Sequence, residues 1–241
     1  MTTTVRTQAP QRASMSSTRR TALVAGVFYL ITYVSIPTLT LYGPVKGADF
    51  IISATSSSGA RLGGVLEVIV ALASIGTAVT LFPVLRRQNE GLALAFVASR
   101  TLEAAMIFAG VASILSLVAL QQPGASGADA ASMTVVGQAL VAFYNGAFLV
   151  GQSLMPAVNA VLLGTLLYRS RLVPRIIPMF GLIGAPLQIT AVLLTIFGVV
   201  GRTSSPVAIL VIPIVVFELS VGIYLLVKGF KQSPLTAGTP S

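Results

Sequence analysis

The apolar residues of the chain are grouped in six long runs, separated by shorter polar segments. The runs cover about residues 21–41, 61–85, 92–120, 133–168, 176–200 and 206–227. Each is long enough for an α-helix to cross the hydrocarbon core of a bilayer, which takes about 20 residues. None alternates apolar and polar residues as a membrane β-strand does. The pattern therefore predicts an all-α, polytopic transmembrane bundle of six helices.

Polar segments at both ends of the chain lie outside these runs. Residues 1–20 are rich in Thr, Ser and Arg and lack periodicity, so we expect a disordered tail, and residues 228–241 form a second polar tail. The first run follows basic residues, as a signal peptide does, but it is long and ends without a small-residue cleavage pattern. We interpret it as a retained helix with a kink near Pro37.

Composition supports a membrane protein and excludes several kinds of site. Only 9% of the residues are charged and 55% are apolar, whereas soluble domains have roughly 25% charged residues. The net charge of +9 comes from basic residues in the loops and tails, which argues against nucleic acid as a partner and for the lipid bilayer. The chain has no Cys and no His, so we expect no disulfide, no His/Cys metal site and no cofactor.

The distribution of Lys and Arg predicts the orientation of the bundle. If the N-terminus lies in the cytoplasm, eleven of the 15 basic residues fall on the cytoplasmic side. Only Lys46, Arg61 and Arg202 fall on the outer side, and Arg100 lies within a run. Because cytoplasmic loops carry an excess of Lys and Arg, both termini are predicted to be cytoplasmic.

Four charged residues interrupt the apolar runs: Glu67, Arg100, Glu103 and Glu218. At 1.5 Å per residue, Arg100 lies about 12 Å deep, and Glu103 and Glu218 lie about 17 and 18 Å deep, near the midplane. Arg100 and Glu103 share a helix face through their i, i+3 spacing. A Glu–Arg–Glu cluster is therefore predicted, which Glu67, about 9 Å deep, would join only if its helix tilts.

This cluster has two interpretations. An arginine paired with carboxylates between helices holds a bundle together. Charged residues within a membrane also mark the paths of substrates and ions. Three acids face one base, so at least one carboxyl group is expected to be protonated or hydrated, as a proton carrier requires.

A second polar set is predicted on the fourth run. Asn145, Gln152 and Asn159 are seven residues apart and are expected to stack along one face, flanked by Tyr144. Gln188 on the fifth run lies near the midplane, at about 18 Å. The stripe is either a ladder of hydrogen bonds between helices or the polar wall of a pocket that faces Arg100.

Motifs of known chemistry are missing from the sequence. No lysine lies within a run, and there is no phosphate-binding loop, no Gly-x-Ser-x-Gly and no His-Glu-x-x-His. Without a nucleophile and a base in reach of each other, we do not expect an enzyme.

Short motifs in the runs resemble one bacterial membrane family. They are Leu81-Phe82-Pro83, Arg100-x-x-Glu103, Tyr144-Asn145 and Gly181-Leu182-Ile183-Gly184. Together with the six helices, they are similar to domain of unknown function 4386. The resemblance covers about residues 19–231 and implies a multi-pass protein of the bacterial plasma (inner) membrane, with no established activity.

The leading functional interpretation is a membrane protein that binds or transports a small solute or ion, such as a proton, through a central polar pocket. The alternative is a structural or accessory protein whose polar cluster only locks the bundle.

Overall fold

A computed structural model of the protein describes residues 16–232. No strand occurs among these residues. The eight α-helices are α1 (Ser17–Ile31), α2 (Thr38–Leu41), α3 (Ser58–Leu85), α4 (Glu90–Ala119), α5 (Gly127–Phe148), α6 (Met155–Ser170), α7 (Ile176–Ile196) and α8 (Ser205–Val227). α1 and α2 form one span, and α5 and α6 another, so the described residues contain six helices long and apolar enough to cross a membrane. The predicted fold class is confirmed.

The bounds of the spans differ from the predicted ones where local polar groups stabilise helix ends. Residues 17–20 of the expected tail are helical, because the Ser16 side chain caps α1 by accepting a hydrogen bond from the Arg19 N–H. The rest of that segment up to residue 15, and residues 233–241 of the second tail, lie outside the described residues. The fifth span ends at Ile196 and not at residue 200, because Gly198 has a φ of 68°, which stops a helix.

The six spans form a closed ring. α1 packs against α3, α3 against α4, α4 against α5 and α6, and α6 against α7. The ring closes because α8 packs against both α7 and α1. Where α1 and α8 cross, a Cβ at Gly26 would lie 2.7 Å from the Leu226 N, so the two backbones touch.

Arg19 ties the ring together at the end that carries both described termini. Its guanidinium donates to the carbonyls of Leu225 and Leu226 at 2.9 and 2.7 Å. These carbonyls belong to the last turn of α8, and the Leu225 carbonyl also accepts from the Gly229 N–H at 3.2 Å. We call this end, which also contains the turns 86–89 and 171–175, the basic end. The opposite end contains the loops 42–57, 120–126 and 197–204, and we call it the Arg202 end.

The apolar core lies mainly toward the basic end. One cluster of buried residues joins all six spans there, and it includes Leu85, Phe96, Leu167, Phe217 and Leu225. A smaller cluster around Phe50 and Ile114 lies at the Arg202 end. A third cluster, with Val70, Ala104 and Ile107, lies between α3 and α4 at the intermediate level, together with several buried polar side chains.

Candidate functional site

Arg100 lies between two carboxylates from different spans. Its Nη1 is 3.0 Å from Oε2 of Glu103 on the same helix, and its Nη2 is 2.9 Å from Oε1 of Glu218 on α8. Asn159 of α6 donates to Glu103 at 2.7 Å and accepts from the Ser99 hydroxyl at 2.6 Å. The structure therefore brings together four predicted residues from three spans. Ser99 is a further member of this group that was not predicted. Its i, i+4 spacing places it on the same face of α4 as Glu103.

Aromatic rings cover the Arg100 guanidinium. Its central carbon lies 5.3 Å from the ring centre of Tyr29 and 5.8 Å from that of Phe96. Only 2% of the Arg100 side chain is exposed, yet its Nε has no hydrogen-bond partner among the described residues. A buried N–H without a partner is unfavourable by about 1–3 kcal/mol unless water or a ligand accepts its hydrogen bond.

A cavity of about 120 Å³ lies beside this ion-pair cluster. It is lined by Tyr33, Ser74, Arg100, Glu103, Gln152 and Glu218, among others. The Ser74 hydroxyl is buried and has no partner within residues 16–232. A small cavity with polar walls and unpaired donors is suited to water or a small polar solute.

The first span is interrupted at the level of this cavity. A 3₁₀ turn at Thr32–Ser35 separates α1 from α2, and it contributes Thr32, Tyr33 and Ser35 to the cavity wall. The predicted kink is present, but the break begins five residues before Pro37. Irregular backbone at membrane depth occurs where it is buried in protein or lines a hydrated cavity.

Glu67 does not join the ion-pair cluster, and the tilt required to bring it there does not occur. It is fully buried and accepts hydrogen bonds from the hydroxyls of Tyr42 at 3.2 Å and Tyr144 at 3.1 Å. Gln152 donates the third at 3.3 Å. Glu67 forms no ion pair with any residue of the range 16–232, in contrast to the two carboxylates that contact Arg100.

Glu67 and the three side chains that donate to it form the Glu67 cluster. Lys46 and Arg202 lie near this cluster, at the Arg202 end. Lys46 Nζ is 4.3 Å from the ring centre of Tyr144, and the Arg202 guanidinium is 4.3 Å from that of Phe148. The two rings are 6.1 Å apart. Burial and the charge of Arg202 lower the pKa of Lys46 from 10.5 to about 8.

The predicted stripe on the fourth span is wrong at Asn145, which is exposed and lines a pocket beside Arg202 instead of the cavity beside Arg100. A π-helical segment at Leu149–Leu154 inserts extra backbone between Asn145 and Gln152. Two turns that include this segment take eight residues and not seven, so Tyr144 is the residue that shares a face with Gln152. The π segment ends next to Pro156, which has no N–H to continue the regular α-helical bonds.

A larger pocket of about 430 Å³ opens beside Arg202, between the π segment, α7 and α8. Gln188 lies at its base with 3% of its surface exposed, and its Nε2 donates to the Ser153 carbonyl. The Gln188 Oε1 is buried without a partner in the described part of the chain. Gln152 lines both this outer pocket and the central cavity, and it also contacts Glu67.

The fold and these contacts define a multi-pass helical membrane protein with a buried ion-pair cluster beside a polar cavity. The chain belongs to the family described as domain of unknown function 4386, whose model matches residues 24–229. That match confirms the family indicated by the short motifs. No curated protein and no solved structure matches the chain.

Proposed function

We propose that the protein binds a small solute or ion in the central cavity and moves it across the membrane. The cavity beside Arg100, Glu103 and Glu218 carries this proposal. A purely structural ion pair requires no cavity beside it. Close packing without water would hold such a pair in better geometry than a cavity does. Here Arg100 Nε and the Ser74 hydroxyl find no hydrogen-bond partner in the described part of the chain, and both lie beside a cavity that can hold a polar guest.

The charges of the three ionisable side chains indicate the role of each in this proposal. Arg100 anchors an anionic group or neutralises one carboxylate, and Glu103 and Glu218 hold a proton or a cation. If both acids are ionised, the cluster of one base and two acids has a formal charge of −1, which favours uptake of one positive charge. Gln152 connects this cavity to the outer pocket, so we assign it to the path between the two.

We further propose how the protein is oriented in the membrane and in which membrane it lies. The basic end carries nine Lys and Arg residues in the described part of the chain, whereas the Arg202 end carries Lys46, Arg61 and Arg202. The basic end is therefore assigned to the cytoplasm of a bacterial plasma membrane. The protein has no native cysteine, so single-cysteine variants test this directly. An impermeant maleimide should label Thr203→Cys and leave Arg87→Cys unlabelled in intact cells; the reverse pattern would invert the orientation.

Proton movement is tested with the full chain in proteoliposomes that contain a pH-sensitive dye, under an imposed potential. The native protein should acidify the lumen faster than Glu103→Gln and Glu218→Gln do. Arg61→Gln changes an exposed arginine outside the cavity and should retain native rates. Infrared difference spectra should show a carboxyl C=O band that changes when the protein takes up or releases protons and is lost in one Gln variant.

A structural role for the cluster is the second candidate. It is favoured by one observation, that both terminal nitrogens of Arg100 and the amide of Asn159 already have partners. If no band titrates, all variants conduct like the native protein and the Gln variants lose stability, the cluster is a lock between α4, α6 and α8. The protein would then be a structural or accessory membrane protein.

A further inference from the structure

The outer pocket has a composition that changes along its length. Arg202, Thr203 and Thr195 lie at its mouth, at the Arg202 end. The middle is formed by apolar side chains, among them Phe148, Val192 and Val207. Gln188 lies about 12 Å below the end of α7, so the base of the pocket is polar again.

The mouth carries positive charge that no direct ion pair in the described part of the chain neutralises, although Glu67 lies within electrostatic range of Lys46. Among the described residues, neither Arg202 nor Lys46 forms an ion pair with a carboxylate. The Nη1 of Arg202 is buried and has no hydrogen-bond partner within residues 16–232. Helix α8 begins three residues later, at Ser205, and the N-terminus of a helix also favours an anion.

The base of the pocket offers one acceptor. Because the Gln188 Nε2 is held by the Ser153 carbonyl, the amide is oriented and its Oε1 is left without a donor. A buried acceptor of this kind discriminates in favour of a ligand that brings a hydroxyl or N–H group.

The geometry points to an amphiphilic organic anion as the ligand of the outer pocket, with its acid group at Arg202 and its apolar chain between the π segment, α7 and α8. A hydroxyl at the far end of that chain donates to the Gln188 Oε1. The volume of about 430 Å³ is in the range of small-molecule sites. This site uses other residues than the ion-pair cluster and does not depend on transport through it.

Binding of radiolabelled decanoate to the full chain in zwitterionic nanodiscs tests the site, with empty nanodiscs as background. We expect saturable binding, which Arg202→Gln weakens about tenfold or more, since a charge-assisted hydrogen bond contributes about 1.5–3 kcal/mol. Arg61→Gln, an exposed arginine at the same end, should bind like the native protein. Ala208→Phe fills the pocket and should abolish saturable binding.

Two comparisons make the test specific. 10-Hydroxydecanoate should bind more tightly than decanoate, and Gln188→Leu should remove that difference. Arg100→Gln should leave binding intact, which separates this site from the central cavity and from the proposed transport. A cooperative melting transition above the assay temperature, in the same nanodiscs, shows that each variant is folded during the binding measurement.

The source of the anion is resolved by competition. If an anionic phospholipid displaces decanoate and co-purifies with the native protein but not with Arg202→Gln, the ligand is a membrane lipid. If only the single-chain acids compete, the ligand is a fatty-acid-like solute. Absence of saturable binding, or equal affinities of Arg202→Gln and Arg61→Gln, would overturn the proposal.

Discussion

Arg100 on α4 and Glu218 on α8 form an ion pair at 2.9 Å, although 118 positions separate them in the sequence. Glu103 occupies the other terminal nitrogen of the same guanidinium at 3.0 Å. One cation therefore holds two acids from opposite parts of the chain. Removal of the cation leaves both acids without compensation, whereas removal of one acid leaves a pair.

This asymmetry predicts the order of destabilisation among variants. Arg100→Gln should lower the free energy of unfolding by about 3–5 kcal/mol, the cost typical of breaking a buried ion pair. Glu218→Gln should cost less, because Glu103 still neutralises Arg100. Denaturant unfolding in detergent measures both, and Arg61→Gln should stay within about 0.5 kcal/mol of the native protein. Equal losses for Arg100→Gln and Glu218→Gln would contradict this account.

Substitution of the two asparagines on the fourth span should have different effects on stability. Asn159 donates to Glu103 and accepts from Ser99, so Asn159→Leu leaves both groups short of a partner and should cost about 1–3 kcal/mol. Asn145→Leu, on the exposed face, should be close to neutral. Thermal melting of the two variants under identical conditions checks this difference. If Asn145→Leu were the more damaging, the register imposed by the π segment would be wrong.

The crossing of α1 and α8 should not tolerate a methyl group. A Cβ at Gly26 would be 2.7 and 2.8 Å from backbone atoms of Leu226 and Gly222, so Gly26→Ala must separate the helices. Gly146 has no atom within 4 Å of its Cβ position, which makes Gly146→Ala the matched control. We expect a melting temperature several degrees lower for Gly26→Ala and an unchanged or higher one for Gly146→Ala. Equal melting temperatures would show that the two helices are not in close contact.

Lys46 should lose its proton near pH 8. The rate at which an acylating reagent modifies Lys46, followed by mass spectrometry, should rise with pH around a midpoint of about 8. Arg202→Gln removes the positive charge that lowers this pKa in addition to burial, so it should move the midpoint upward. A midpoint near 10.5 in the native protein would mean that Lys46 is solvated like a free lysine.

The same shift has a consequence for stability. The pKa of Lys46 is lower in the folded protein than in the unfolded chain, so the unfolded chain binds more protons between about pH 8 and 10.5. The free energy of unfolding therefore rises with pH across this window as far as Lys46 contributes to it. The slope of stability against pH should be smaller in Lys46→Met, and an unchanged slope would exclude this contribution.

The sequence predicts the spans because hydropathy and length determine them nearly alone. It also predicts that Arg100, Glu103 and Glu218 meet, since their depths agree and a lone charge in the membrane needs a partner. A regular helix period places Asn145 on the same face as Gln152, and this prediction is wrong. The π segment, which follows from no single residue type, changes the period by one residue and brings Tyr144 to the interior in its place.

The outer pocket was not predicted for a different reason. Arg202 reads as an ordinary loop arginine, and its isolation from carboxylates depends on how three spans pack. Tyr42 was missed likewise, because its contact with Glu67 requires the break in the first span. Hydropathy patterns contain no information on such packing.

The pairing of Arg100 within its own helix affects how the protein is made. Chains are synthesised from the N-terminus, so α4 enters the membrane well before α8. Glu103 neutralises Arg100 from the start, because it lies three residues along the same helix. The third charge arrives only when α8 closes the ring. The surplus of one carboxyl group over the guanidinium is therefore a property of the finished protein and not of any intermediate in its insertion.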